Sequence, residues 1–173
     1  MIEFDYELDY KQLDFTDSET RKLYRIGRGE QGVLLVRPYT DDICIHWKFR
    51  TPDIASQSSF KILEMYKTYK EQSDFVGMDM CRKFLEMGFT RSRRYANHNS
   101  GKKYHKETGK VLPQAYDWDT SHYAKSAQIF KKVRDFVANN NDYKKLRKEW
   151  RNKENIWSGG IQPKKPVWKS ATS

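Results

Sequence analysis

Apolar and polar residues alternate at the start of the chain: Phe4, Tyr6, Leu8 and Tyr10 stand among Glu3, Asp5, Glu7 and Asp9. A period of two gives an extended strand one apolar face, and the acids on its other face mark it as an edge strand. The runs Tyr24-Arg25-Ile26 and Val33-Leu34-Leu35-Val36 flank a glycine-rich turn. Pro38 and Asp41-Asp42 then interrupt the pattern, and Ile43 to Phe49 reads as another strand. Together these predict a small antiparallel β-meander near the N-terminus.

The period changes at Thr51-Pro52, a helix start with threonine as the cap and proline in the first turn. Ile54, Ser58, Ile62, Met65 and Tyr69 then share one helical face to about residue 72. Ser73 is read as the cap of a second helix, with Val76, Met80, Phe84 and Met87 inward and Gly88 as its stop. A basic loop over residues 89–119 is expected to follow. Thr120 or Ser121 caps a third helix carrying Ala124, Ala127, Phe130, Val133 and Val137, which Asn139-Asn140-Asn141 ends. Asp142 opens a fourth, very basic helix over 142–155 with Tyr143, Leu146 and Trp150 as its apolar stripe. The expected fold class is α+β, the meander packed with about four helices. Residues 1–157 are expected to form a single globular domain and residues 158–173 a flexible basic tail.

Charge sharpens this picture. The chain has 173 residues and a net charge of +10, but residues 1–20 alone carry −6, which leaves +16 for the rest. An aromatic fraction of 14% argues against a disordered chain, because disordered segments are poor in such residues. Between Met87 and Tyr104 the cations Arg91, Arg93, Arg94, Lys102 and Lys103 are interleaved with Phe89, Tyr95 and Tyr104, with no acid among them. Cations reach phosphates and aromatic faces stack on bases, so this is the composition of a nucleic-acid contact surface. Lys144, Lys145, Arg147, Lys148 and Arg151 add a second basic face.

Other chemistry is sparse. Gly27, Gly29 and Gly32 spell G-x-G-x-x-G, but a β-branched run follows where a dinucleotide-binding turn needs a helix. A kinase reading fails too, since no H-R-D or D-F-G segment exists. The segment is therefore read as a structural turn whose glycines supply positive φ, with Arg28 as a weak phosphate candidate. Glu30 and His46 are weak candidates for an acid–base pair. Cys44, His46, His98, His105 and His122 have no metal-ligand spacing, so neither a metal nor a cofactor is expected. Cys81, beside Met80 and Phe84, reads as core. Two cysteines without framework spacing fit a reduced compartment. With no apolar run of membrane-spanning length and an acidic start unlike a signal peptide, the expected location is cytoplasmic.

Two long segments, Tyr24 to Leu34 and Arg82 to His98, together with His46-Trp47-Lys48-Phe49, Thr51-Pro52 and Gly101-Lys102-Lys103-Tyr104, resemble one family. It is an uncharacterised, domain-of-unknown-function family of small proteins from bacteria, tailed phages (cyanophages among them) and some eukaryotes. The likeness covers most of residues 4–150. It brings no established activity, but with it goes an expectation of a phage or bacterial origin.

The residues thus lead first to a nucleic-acid-binding accessory protein without catalysis of its own, for DNA or RNA. A second expectation is an enzyme acting on a nucleic acid or phosphorylated substrate, which requires Arg28, Glu30, His46 and Arg94 to meet in one cleft. A third is a basic phage protein that binds an acidic host protein.

Overall fold

In the computed structural model of the chain, which describes residues 1–158, the alternation at the N-terminus does not become a sheet. Among the described residues the β pairing is one isolated bridge, Tyr104 with Val111, so the fold is helical and the expected α+β class with its N-terminal meander is corrected. Apart from Ser158, the predicted tail lies outside the described residues.

The replaced strands show why. Asp9 caps a 3-10 turn at Tyr10–Gln12, and Asp17 caps the short helix α1 at Ser18–Arg21. The backbone of the Val33–Val36 run is met by a side chain: the Thr40 hydroxyl accepts from Val36 N–H and donates to Val33 C=O, each at 2.9 Å. No neighbouring strand is then needed to satisfy these groups. Asp41 and Asp42, read as strand breakers, sit in the first turn of a helix, α2 at Tyr39–Cys44, where a negative charge complements the helix dipole. Gly27, Gly29 and Gly32 do have positive φ, as a turn requires, but that turn leads into further turns rather than a hairpin.

Helix α3 spans Pro52–Glu71, with the Thr51 side chain accepting from Ile54 N–H at 3.2 Å. Helix α4 spans Phe75–Asn97, capped by Asp74 instead of Ser73. Gly88 does not stop it. A methyl group there would run into the Phe130 ring of α5 (His122–Ala138), so this glycine marks close helix packing. Gly88, Ser92 and Ala96 recur every fourth residue on α4 and are all buried. The expected loop 89–119 is accordingly helical to Asn97, and irregular chain runs from His98 to Ser121. Ser121 caps α5 as expected, and Asn140 rather than Asp142 caps α6, Asn141–Trp157.

The N-terminal segment lies on this helical body as a ladder of rings. Phe4, Tyr10, Phe15, Tyr24 and Trp150 follow one another with centroids 5.3, 6.0, 6.4 and 6.1 Å apart, all in the range of favourable aromatic pairs. Tyr143 is buried and Leu146 and Trp150 pack on the core, so the predicted α6 stripe is the seam that joins it to the rest.

Candidate nucleic-acid interface

Beneath α6 the core is polar at one point. Asp79 of α4 is fully buried and accepts from the Tyr24 hydroxyl, from Tyr143 Oη at 2.6 Å and from Arg82 Nε at 2.7 Å. Burial alone would raise its pKa, but the charges of Arg82 and Lys83, with the hydrogen bonds from Arg82 and Tyr143, hold it well below the ordinary carboxylate range. Burial opposes the Arg82 charge too, and Asp79 outweighs it, so the guanidinium stays firmly ionised. The two arginine ends do different work: Nε faces Asp79, while Nη1 donates to Gly29 C=O at 2.9 Å.

Lys83, also fully buried, donates to Gln31 C=O at 2.6 Å and to Arg25 C=O at 3.2 Å. Its ammonium group lies over the rings of Phe4 and Tyr24. Desolvation lowers its pKa to about 7 despite the opposing pull of Asp79. Arg151 of α6 reaches Gly27 C=O at 2.8 Å, and Glu154 accepts from Ile26 N–H at 2.7 Å. Cations from α4 and α6 therefore pin the glycine turn through its carbonyls. Its N–H groups are also engaged: those of Arg28, Gln31, Gly32 and Val33 bond to Gln31 Oε1, Arg28 C=O, the Tyr6 hydroxyl and Glu30 C=O. The turn is built as a clamped structural element, in which the N–H groups of Gly27, Gly29 and Glu30 alone make no hydrogen bond among the described residues.

Above this cluster lies an open cleft of about 540 Å³ lined by Arg82, Tyr143, Lys144, Arg147, Lys148 and Arg151, with Ala138 and Asn152. No carboxylate lines it. Lys144, Arg147, Lys148 and Arg151 recur at i, i+3, i+4 and i+7, a stripe of about 10 Å along α6 that borders the Tyr143–Leu146–Trp150 seam. Arg151 is held by Glu154 and the glycine turn, whereas Lys144, Arg147 and Lys148 have no ion-pair partner among the described residues. Lys145 is exposed one position off this stripe.

The segment 91–95 is distributed differently from a loop. At 100° per residue, Arg91 is turned about halfway round α4 from Arg82, and Arg94 about a third. Arg91 joins Arg28 and Glu30 in a second depression of about 520 Å³ on the other side of the glycine turn. Arg28 pairs there with Glu3 at 3.4 Å. Glu30 is raised in pKa by burial, although a hydrogen bond from Thr90 at 2.7 Å and the charges of Arg91 and Arg94 oppose the shift. Arg93 is committed internally, donating to Asn97 Oδ1 and Trp118 C=O, each at 3.0 Å. Tyr95 turns toward Phe49 and Tyr123. Lys102, Lys103 and Tyr104 are exposed on the loop after α4, with the Lys103 ammonium over the Tyr104 ring.

His46 lines a separate depression with Lys48, Gln57 and Lys61 and does not share the one around Glu30. The four residues required by a catalytic cleft are thus not brought together in one lining. Among the described residues no three His, Cys, Asp or Glu side chains are grouped to hold a metal ion, and no helix is long and apolar enough to cross a membrane. Cys81 is buried in the core, as expected.

Arg82 is the cation of this cleft that the sequence pattern does not single out. Its signal is weak, because its neighbours Asp79 and Lys83 are buried charges in a segment that otherwise reads as apolar core.

A family model described as "Domain of unknown function (DUF4385)" matches residues 5–153, most of the chain. No curated protein and no solved structure matches it.

Proposed function

We propose a function for this chain, which belongs to the DUF4385 family, from its own geometry: it binds nucleic acid through the cationic cleft between α6 and Arg82. The observation that carries the reading is five cationic side chains around one cleft without a carboxylate, three of them lacking any ion-pair partner among the described residues. Like charges gathered so closely repel one another, and a polyanion relieves that repulsion while releasing its own counterions. A stripe of about 10 Å along α6 spans about three phosphates of one strand, at one per roughly 3.4 Å of duplex axis. That favours a polymer over a single small anion.

The fixed and free cations divide the task. Arg82 and Arg151 are held by Asp79, Glu154 and the glycine turn, so they present charge at low entropic cost on binding. Lys144, Arg147 and Lys148 adapt to the backbone. Such contacts position the polymer and carry no base sequence. Anisotropy titration with labelled single- and double-stranded DNA and RNA at two salt concentrations tests the reading. Affinity should fall steeply with salt, and a flat salt response sinks the proposal.

A further inference from the structure

Near the C-terminal end of α4, at residues that do not line the cationic cleft, four rings from three parts of the chain meet. Trp47 and Phe49 lie 5.1 Å apart, Phe49 is 5.6 Å from Tyr95 and 6.1 Å from Tyr123, and Tyr95 stacks on Tyr123 at 5.1 Å. All four are only partly buried, and they line a depression of about 380 Å³, within the range of small-molecule sites. Lys48 and Arg50 stand on the same wall. Both are exposed, and neither has an ion-pair partner among the described residues. The Tyr95 and Tyr123 hydroxyls make no hydrogen bond within the described residues.

This pocket is held in shape from behind. The Trp47 indole N–H donates to Phe84 C=O of α4 at 3.0 Å. Ser58 of α3 fixes the segment 46–48 at two points, donating to His46 C=O at 2.7 Å and accepting from Lys48 N–H at 3.0 Å. Burial alternates along this segment: Trp47 and Phe49 are partly buried, Lys48 and Arg50 exposed. On the far side of Tyr95 the loop closes tightly. A methyl group at Gly101, whose φ is 73°, would lie 2.6 Å from the Tyr95 ring.

Partly buried rings and two exposed cations in one lining, with hydroxyls that have no partner among the described residues, select a ligand that is planar, aromatic and anionic. A quaternary ammonium, the usual guest of an aromatic cage, would meet Lys48 and Arg50 as like charges. We infer that this pocket binds a nucleotide, its base against Phe49, Tyr95 and Tyr123 and its phosphate at Lys48 and Arg50. The site lies apart from the cationic cleft and does not rest on it.

Calorimetric titration of the full chain with AMP tests the inference. Phe49→Leu and Tyr123→Leu keep apolar bulk but remove a ring, and each is expected to weaken AMP binding about fivefold or more, as loss of one base–aromatic stack does. Lys48→Gln with Arg50→Gln is expected to weaken AMP binding while leaving the weaker binding of adenosine unchanged. Replacing Lys144, Arg147 and Lys148 by Gln is expected to leave AMP binding intact. Helical circular dichroism equal to the parent's identifies folded variants. Absence of AMP binding overturns the inference, as does binding that survives both ring variants or disappears with the cleft variant. To separate the two sources of nucleotide, a short single strand is compared with its abasic counterpart. Tighter binding of the base-bearing strand, lost in Phe49→Leu, places a polymer's base in the pocket. Equal binding of the two strands, with AMP still bound, leaves the free nucleotide as the ligand.

Discussion

The Tyr143 hydroxyl donates to Asp79 at 2.6 Å, joining α6 to a carboxylate that has no access to water. The same carboxylate aligns Arg82, so one buried charge fixes both walls of the cationic cleft. Removing it strands Arg82 and two hydroxyls. Asp79→Asn is expected to cost about 3–5 kcal/mol, the range for breaking a buried charge pair by one partner. Tyr143→Phe, which deletes one hydrogen bond to a charged acceptor, is expected to cost about 1.5–3 kcal/mol. Urea denaturation midpoints with unchanged slopes check both, and a neutral Asp79→Asn contradicts the role given to this cluster.

Lys83 gives stability a pH dependence of definite sign. Its pKa is lowered to about 7 from an ordinary value of 10.5 by desolvation, against the pull of Asp79 and Glu154 and with Arg82 and Arg151 adding to the shift. Between these values the unfolded chain binds more protons than the folded one, so stability rises with pH, by up to about 1.4 kcal/mol per unit. Burial also raises the Cys81 thiol, which offsets this rise from about pH 9, and above pH 10 the trend reverses because burial raises Tyr24 and Tyr143 far above that value. Lys83→Met is expected to flatten the rise between pH 7.5 and 9.5. Denaturation series at several pH values in that window check it, and an unchanged slope in the variant contradicts it.

Helix α4 meets α5 through residues chosen for smallness. Gly88→Ala drives a methyl group into Phe130 and is expected to cost about 1–3 kcal/mol by overpacking. Ser92 is the opposite case. Its hydroxyl is buried without a hydrogen-bond partner, so Ser92→Ala is expected to stabilise by up to about 1 kcal/mol. Thermal melts of the two variants should move in opposite directions, and a parallel shift contradicts this account of the interface.

The helices were legible where a cap and a full apolar period coincided. Thr51-Pro52 and Ser121 each combine the two, and α3 and α5 start where the pattern placed them; the Tyr143–Leu146–Trp150 stripe located α6, but its cap is Asn140 and not Asp142. The N-terminal alternation was legible only in part. Phe4 and Tyr10 are buried as an alternating face requires, yet a half-buried arm on a helical body shows the same period as a paired strand. Val33–Val36 misled for a related reason: which partner satisfies its backbone, here Thr40, is not visible in a short apolar run. Gly88 looked like a stop because a glycine needed for close packing and one needed for positive φ are the same letter.

The candidate sites follow the same logic. Of the five α6 cations read from sequence, Lys144, Arg147, Lys148 and Arg151 line the cleft together and Lys145 does not. The cations of 91–94, once helical, are turned to different sides of α4. Trp47-Lys48-Phe49-Arg50 also alternates ring and cation, but the same period fits a strand with one apolar face, so its chemistry does not stand out in the sequence.

The central claim is that unpaired cations on α6 hold a nucleic-acid backbone, and the salt dependence of binding tests it most directly. Affinity for a labelled DNA duplex is measured across a salt series for the parent and for a variant with Lys144, Arg147 and Lys148 replaced by Gln. If the three side chains neutralise phosphates, the log–log slope becomes shallower by about 2–3, at roughly 0.9 for each phosphate no longer neutralised, and affinity falls alike for unrelated sequences. An unchanged slope and affinity in a folded variant would contradict the claim.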